Sequence, residues 1–579
     1  MATEELLTEQ FQFLGISVQK EVLAKCVSLC EEYDVDAETF VEQWMAFSLT
    51  NLNGAPPNLD SLDSLERKEF SKRADRLSAP VKDARTSTGT SVAVYGASVA
   101  TQPDNEVLSK YIAVTPKRIK VEDTSRKHEL TAATYSPKTG ASSKYSTRGN
   151  AGTVLHSYGD DDLLQAITTP SGPNDALNVT QVPNHDGELY TKAMFGFELL
   201  PEKASIYDAH ISYISRHIMK KAGITECSSV RQKTQTETTV AGRIECDADA
   251  RLNPKCVVLQ GTWEHSLSQA VPVDLDGIKQ YSLFPGQVVA MRGTNPRGDK
   301  FLAQEVFCDG SLPLPDHRAD MINALQGNLS MVVAAGPYTT SDNLSYEPLK
   351  DLVTYISTHK PHIVIMTGPF MDADHAKLKD NTLAETYKSL FEKLIDSLAE
   401  LNTSCPSTKI YIVSSHKDAF HLNIFPTPPY STRRKHPHVH FVPDPCTLNI
   451  GGIIVGATSA DVLMQISQEE ISLGMGGDKL ARMASHVLSQ QCYAPLFPAP
   501  PAQPTDAALW AQHAHVPATP HVLVLPSNFR YFVKEVNGTV VVNPERLTKG
   551  TGGGTFARLA VRADADADMR RVAAQVVRI

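Results

Sequence analysis

Long apolar runs are missing from this chain: nowhere do about 18 apolar residues follow one another, which is the length a membrane-crossing helix needs. The start, MATEELLTEQ, lacks both the basic stretch and the apolar stretch of a secretion signal, so neither secretion nor a membrane partner is expected. Cysteine is sparse and unpaired in pattern. There are 9, an odd number, spread over Cys26, Cys30, Cys227, Cys246, Cys256, Cys308, Cys405, Cys446 and Cys492 with no C-x-x-C pair. A disulfide scaffold is thereby disfavoured and a reducing compartment, cytosol or nucleus, is expected. Positive charge is also short. Lys and Arg number 55 against 65 Asp and Glu, a net charge of -10, which argues against strong overall attraction to a nucleic-acid backbone. What remains is 579 residues, 41% of them apolar, enough for several cores; at about 150 residues per domain, three or four units are expected.

The first 77 residues read as a small all-α module. Val22, Leu23, Cys26, Val27 and Cys30 recur at helical spacing, as do Phe40, Val41, Trp44 and Phe47 behind the N-cap residue Asp36. Cys26 and Cys30 share one helix face with no second pair nearby, so core packing is preferred over metal ligation. A charged helix from Leu59 to Arg76 closes the module. From 78 to 195 Ser, Thr, Pro, Gly and Lys dominate and apolar periodicity fades, the composition of a disordered linker. It holds three hydroxyl-proline sites, Thr115, Ser136 and Thr169, of which Thr115 and Ser136 have a basic residue behind the proline. These are candidates for phosphorylation by proline-directed kinases, each adding roughly -1.5 to -2 charges.

A helix carrying Ile211, Ile214 and Ile218 opens the region 196–320. Short strands then follow at Thr239–Ile244, Cys256–Gln260, Gln287–Met291 and Phe301–Ala303, with turns at Asn253-Pro254, Pro285-Gly286 and Asn295-Pro296, the pattern of a small OB-type β-barrel. The remainder, 321–579, alternates apolar strands (Met331–Ala335, His362–Met366, Lys409–Val413, Ile450–Val455, His521–Leu525) with helices (Glu347–Thr358, Thr382–Leu401, Lys479–Gln490). That alternation indicates an α/β domain whose sheets are buried on both faces.

Several long motifs carry a family resemblance. They are Tyr281–Val289 (YSLFPGQVV), Val332–Asp342 (VVAAGPYTTSD), Gly368–Ala373 (GPFMDA), Val524–Ser527, Arg530–Lys534 and Asn543–Leu559 (NPERLTKGTGGGTFARL). Together they resemble the B subunits of replicative DNA polymerases, of the DNA polymerase alpha–primase type, in which an OB domain precedes a calcineurin-like phosphoesterase domain. The resemblance spans the chain up to Arg562; the tail beyond it has no match. It implies a catalytically inactive domain, no cofactor, a nuclear location, and a non-catalytic accessory role. The partners implied are the C-terminal domain of the catalytic subunit, the primase subunits, and other replication factors through the N-terminal module.

The residues test that implication. A two-metal phosphoesterase places Asp and His at strand ends because hard divalent cations take carboxylate and imidazole donors. The fingerprints are D-x-H, G-D-x-x-D, G-N-H and G-H-x-H. Against them stand Ala335–Tyr338 with no ligand, Gly368-Pro369 through Asp372 with proline in place of the bridging aspartate, Ser414-Ser415-His416, and Pro526-Ser527-Asn528-Phe529. Pro369, Asp372 and His416 are accordingly expected to be remnants, the last two holding loops through hydrogen bonds. His436, His438 and His440 alternate and would share one strand face, but a solvated face is preferred over zinc. The glycine loops Gly474–Lys479 and Lys549–Thr555 do not match a phosphate-binding loop.

Two other functions are open to test: an active metallophosphoesterase, or an OB protein binding single-stranded DNA. The second wants a cationic groove with aromatic platforms. From Val240 to Phe307 there are seven Lys and Arg against eight Asp and Glu, and Trp263, Tyr281 and Phe284 could stack bases but are preferred in a core or protein interface, so DNA contact is expected to be weak or indirect.

Overall fold

The computed structural model describes residues 143–165, 177–183, 187–191, 193–248, 250–315, 328–380, 383, 385–562 and 571–579, with the helix Lys20–Glu32 and scattered positions among the first 65 residues. The chain divides into two compact units, 1–133 and 134–579. In the first unit Cys26 and Cys30 lie in one core with Leu7, Phe11, Val22, Leu23, Phe40, Val41, Trp44 and Leu62. Burial there pushes the Cys26 thiol up to about 12. Thr115, Ser136 and Thr169 lie outside the described residues, as does most of the stretch expected to be a helix from Leu59 to Arg76.

The second unit opens on a barrel. The helix Leu200–Ala222 leads to five strands, Thr234–Cys246, Val257–Gln260, Ala270–Asp274, Phe301–Phe307 and Val288–Asn295, which close in that order. Alternating apolar side chains fill it: Val240, Ile244, Leu259, Val271, Val273, Val289, Met291 and Phe301 form one core. The strand Ala270–Asp274 escapes sequence reading because Pro272 interrupts it and only Val271 and Val273 face the core.

The α/β part stacks two sheets. One has seven strands in the order Val154–Tyr158, Arg571–Arg578, Thr555–Arg562, Asn328–Ala335, Ile363–Thr367, Lys409–Val413 and Val439–Val442, of which the last four run parallel. The other has six, in the order Phe532–Val536, Thr539–Asn543, Val522–Val524, Ile453–Ala457, Cys446–Ile450 and Val179–Gln181. Strand period two divides the residues between layers. Met331, Val333, Ile363, Ile365, Tyr411 and Val413 face the second sheet. Val332, Ala334, Val364, Met366, Ile410 and Ile412 pack under the helices Glu347–His359 and Tyr387–Ala399. Among the described residues no helix is long and apolar enough to cross a membrane.

Two expectations are corrected. The linker does not extend unbroken to 195: the described segments 143–165 and 177–183 are built into the second unit. Val154–Tyr158 pairs with Arg571–Arg578, and Val179–Gln181 pairs with Cys446–Ile450. Tyr145 is buried, with Arg148 over its ring and Asp351 accepting its hydroxyl proton at 2.8 Å. These pieces are too short and polar to announce themselves, because their partners lie hundreds of residues away. Of the unmatched tail, Arg571–Arg578 lies between two other strands of the larger sheet. The single strand expected at Ile450–Val455 is a hairpin that turns at Gly451 and Gly452, both with positive φ (57° and 93°), a conformation glycine adopts without strain.

The barrel is docked on the α/β part by strand pairing and side-chain bonds. Tyr281–Leu283 pairs with Ile471–Leu473, and Gln490 accepts the Val288 N–H at 2.7 Å and returns a bond to its carbonyl at 3.1 Å. Beneath them Glu470 meets Arg482 (2.7 Å) and His486, and Ser282 donates to it. Burial alone would raise the Glu470 carboxyl, yet the bonds from His486, Arg482 and Ser282 outweigh it and hold it at about 2.

Candidate functional site

The loops that end the parallel strands Asn328–Ala335, Ile363–Thr367 and Lys409–Val413 are where the resemblance locates phosphoesterase ligands. They are packed against one another. A Cβ on Gly336 would lie 2.0 Å from the Pro369 carbonyl oxygen, and one on Gly368 would lie 2.6 Å from the Ser415 Cβ. Tyr338, fully buried, stacks on Phe370 at 4.5 Å and donates its hydroxyl to the carbonyls of Ala334 and Thr367, both at 3.0 Å. Aromatic rings and main chain therefore fill the space beside Pro369.

Asp418 ties these loops together, and sequence reasoning missed it. It is buried, and its Oδ1 accepts the N–H groups of Phe370 (2.8 Å) and Met371 (2.6 Å) while Tyr430 donates to Oδ2. Burial pushes its carboxyl up to about 7 despite those donors, with nearby Asp372 adding to the rise. The only sequence signal was its place two residues after His416. Asp372 itself does hold its loop: its Oδ1 accepts the Asp374 N–H at 3.0 Å, and its main chain bridges to Asp418. His416 is buried, and burial, opposed by a main-chain bond with Ala502, holds its imidazole at about 4, so it packs as a neutral ring.

The other candidates are equally local. His436 donates from Nε2 to the Asp396 carboxylate at 3.0 Å and His440 stacks on Tyr411, so these two of the alternating histidines have separate partners. The helix Lys479–Ser489 is capped by its own Asp478, whose carboxylate takes the N–H groups of Leu480 and Ala481. An anion is thus already built into that helix start. A Cβ on Gly554 would strike the Arg546 carbonyl at 1.9 Å, which explains the glycine without any phosphate.

On the barrel, Tyr281 and Phe284 are buried and Trp263 is 64% exposed, leaving one of the three aromatics on the surface. Three of the barrel's cations are taken by carboxylates: Arg243 by Glu245, Arg292 by Glu305 and Lys300 by Asp274.

What sequence reading did not single out is an apolar strip before the barrel. Met194, Phe195, Phe197, Leu199 and Leu200 are all exposed, Phe197 by 77% and Leu200 by 82%. The main chain beneath them is pinned: Gly196 donates to Asp506 Oδ2, and Ala508 donates to Glu198 Oε1, both at 2.9 Å. About two helical turns beyond Leu200, roughly 12 Å along the helix Leu200–Ala222, Asp208 accepts the main-chain N–H of the exposed Trp263 at 2.6 Å. A fixed backbone carrying contiguous large apolar side chains is the mark of a protein-binding surface.

Comparison with known proteins agrees with this division. The family model for the OB domain of the DNA polymerase alpha B subunit matches residues 204–309. The model for the B subunit of DNA polymerases alpha and epsilon matches 331–534, and that for the N-terminal part of the DNA polymerase alpha B subunit matches 5–72. The DNA polymerase alpha B subunit of Mus musculus is 32% identical, covering 99% of each chain. The Drosophila melanogaster protein of the same name is 32% identical over 96% of each, and that of Saccharomyces cerevisiae is 26% identical over 71% of this chain and 67% of its own. The chain belongs to the family of DNA polymerase alpha B subunits, whose role lies in DNA replication.

Proposed function

We propose that this chain is a non-catalytic accessory subunit of the DNA polymerase alpha–primase complex in the nucleus, with the barrel and the α/β domain, an inactivated phosphoesterase, forming one platform. The platform holds the C-terminal domain of the catalytic subunit and supports primer synthesis by keeping primase near it. The N-terminal module recruits other replication factors, and phosphate on Thr115, Ser136 or Thr169 tunes that recruitment by adding charge. Pro369, Asp372 and His416 are remnants without a catalytic role.

The observation that carries this reading is the apolar strip from Met194 to Leu200, whose Gly196 is hydrogen-bonded to Asp506: exposed side chains of that size on a held backbone favour a protein partner over a small substrate. The packed strand ends support it from the other side, since main chain and aromatic rings fill the space beside Pro369. The test is co-purification of full-length chain with the catalytic subunit. Phe197→Glu with Leu200→Glu is expected to weaken capture at least about tenfold with an unchanged melting temperature. Chelator-sensitive hydrolysis of a phosphodiester by the pure chain, or tight salt-dependent binding of single strands by it alone, would overturn the reading.

A further inference from the structure

Two thiols sit at the base of one barrel loop. Cys246 ends the strand Thr234–Cys246, and Cys256 immediately precedes the strand Val257–Gln260. Their Sγ atoms are 3.1 Å apart, inside the van der Waals contact of two sulfurs. Both are half-buried and packed against the barrel core. Cys256 is held in place by its neighbours: the Asn253 N–H donates to its Sγ at 3.1 Å, and its thiol lies 3.3 Å from the Asn253 carbonyl. The loop between, 247–255, joins the first and second strands of the barrel, one of the loops through which OB folds meet their ligands. Among the described residues no group of three metal-ligating side chains includes the pair, so a zinc shell is not at hand.

We propose that Cys246 and Cys256 form a dithiol that closes to an intramolecular disulfide on meeting a small-molecule disulfide, and that closure tightens the loop 247–255. One cysteine, as thiolate, attacks a sulfur of the oxidant and releases its first thiolate. The second cysteine, deprotonated, then attacks the protein sulfur of that mixed disulfide and releases the other half. The protein pair loses two electrons and two protons; the oxidant takes both as two thiols. The second step is intramolecular between atoms already in contact, which favours it over a lasting mixed adduct. Burial and the bond from Cys246 raise the Cys256 thiol above its ordinary value, so closure accelerates as pH rises toward the alkaline range.

The test uses the full chain and glutathione disulfide, with alkylation to stop the reaction and peptide mapping by mass spectrometry. Expected is a loss of two hydrogens, a Cys246–Cys256 link reversed by reductant, and tryptic cleavage after the exposed Arg251 slowed about tenfold. Cys246→Ser and Cys256→Ser should each leave one glutathione adduct and no link, whereas Cys308→Ser should close normally. Lasting adducts on both wild-type thiols, a link to another cysteine, or closure with unchanged cleavage after Arg251 would each refute the proposal. The mapping on wild-type protein decides it even if a serine variant fails to fold.

Discussion

The packed strand ends can be tested with a single methyl group. In Gly336→Ala the new Cβ would stand 2.0 Å from the Pro369 oxygen and 2.9 Å from both its carbonyl carbon and its nitrogen. Relief needs a shift of about 1 Å between two main-chain segments that are each fastened. Gly336 donates to the Thr367 carbonyl at 2.9 Å, and the peptide after Pro369 is held by Asp418. Overpacking a core costs about 1–3 kcal/mol, and with backbone on both sides the upper end applies, about 3 kcal/mol. For a cooperative unit of this length that is a fall of about 3 °C in melting temperature. Gly336 has no positive φ, so the loss is steric alone. Gly476→Ala, with nothing within 4 Å of its Cβ, is the control and should melt within about 1 °C of the parent. Differential scanning fluorimetry of the three proteins reads the result. If Gly336→Ala melts with the parent, the strand ends are not closed on each other, and the case against an open metal cleft loses its geometric support.

Two more predictions concern buried carboxyls. Asp418 is raised to about 7 in the fold and lies near 4 when unfolded, so between those values the native state keeps a proton that the unfolded chain has lost. Stability contributed there is full below about 4 and lost as pH rises through about 7; Asp418→Asn, which cannot ionise, should gain on the parent by up to about 4 kcal/mol across that window in urea titrations. A difference that stays constant with pH would refute this. Glu470 has the opposite sign: held at about 2, it contributes stability present above its unfolded value and lost as pH falls toward 2. Glu470→Gln leaves Arg482 without its counter-charge and should cost about 3 kcal/mol at neutral pH, with the gap to the parent narrowing from pH 5 to pH 3; equal melting at neutral pH would show that the pair does not anchor the barrel.

Legibility in the sequence followed the range of the interactions. The strand Lys409–Val413 and the helix Lys479–Ser489 were read almost to the residue, because each has its own periodicity and, for the helix, its own cap in Asp478. The barrel strands Val257–Gln260 and Val288–Asn295 were visible for the same reason. Val154–Tyr158 was not, since only Arg571–Arg578 makes a strand of it, and neither segment is apolar enough to show its place alone. The expectation that Ala335–Tyr338 and Pro369 lack metal ligands came from residue type alone, since carboxylate and imidazole donors are recognisable without a fold. Asp418 was not readable, because an aspartate in a loop becomes a buried tie only when Tyr430 and the main chain at Phe370 and Met371 converge on it.

By itself, then, the order of residues determined the local elements and the family resemblance, both of which depend on neighbours a few positions apart or on chemical type. Only the folded chain decided that the segments around 154 and 571 complete the larger sheet, that glycine at 336 lets two strand ends meet, and that Met194 to Leu200 stand in solvent on a pinned backbone. Those outcomes rest on contacts between residues tens to hundreds of positions apart, and burial or exposure of a side chain is a property of such contacts rather than of the residue that bears it.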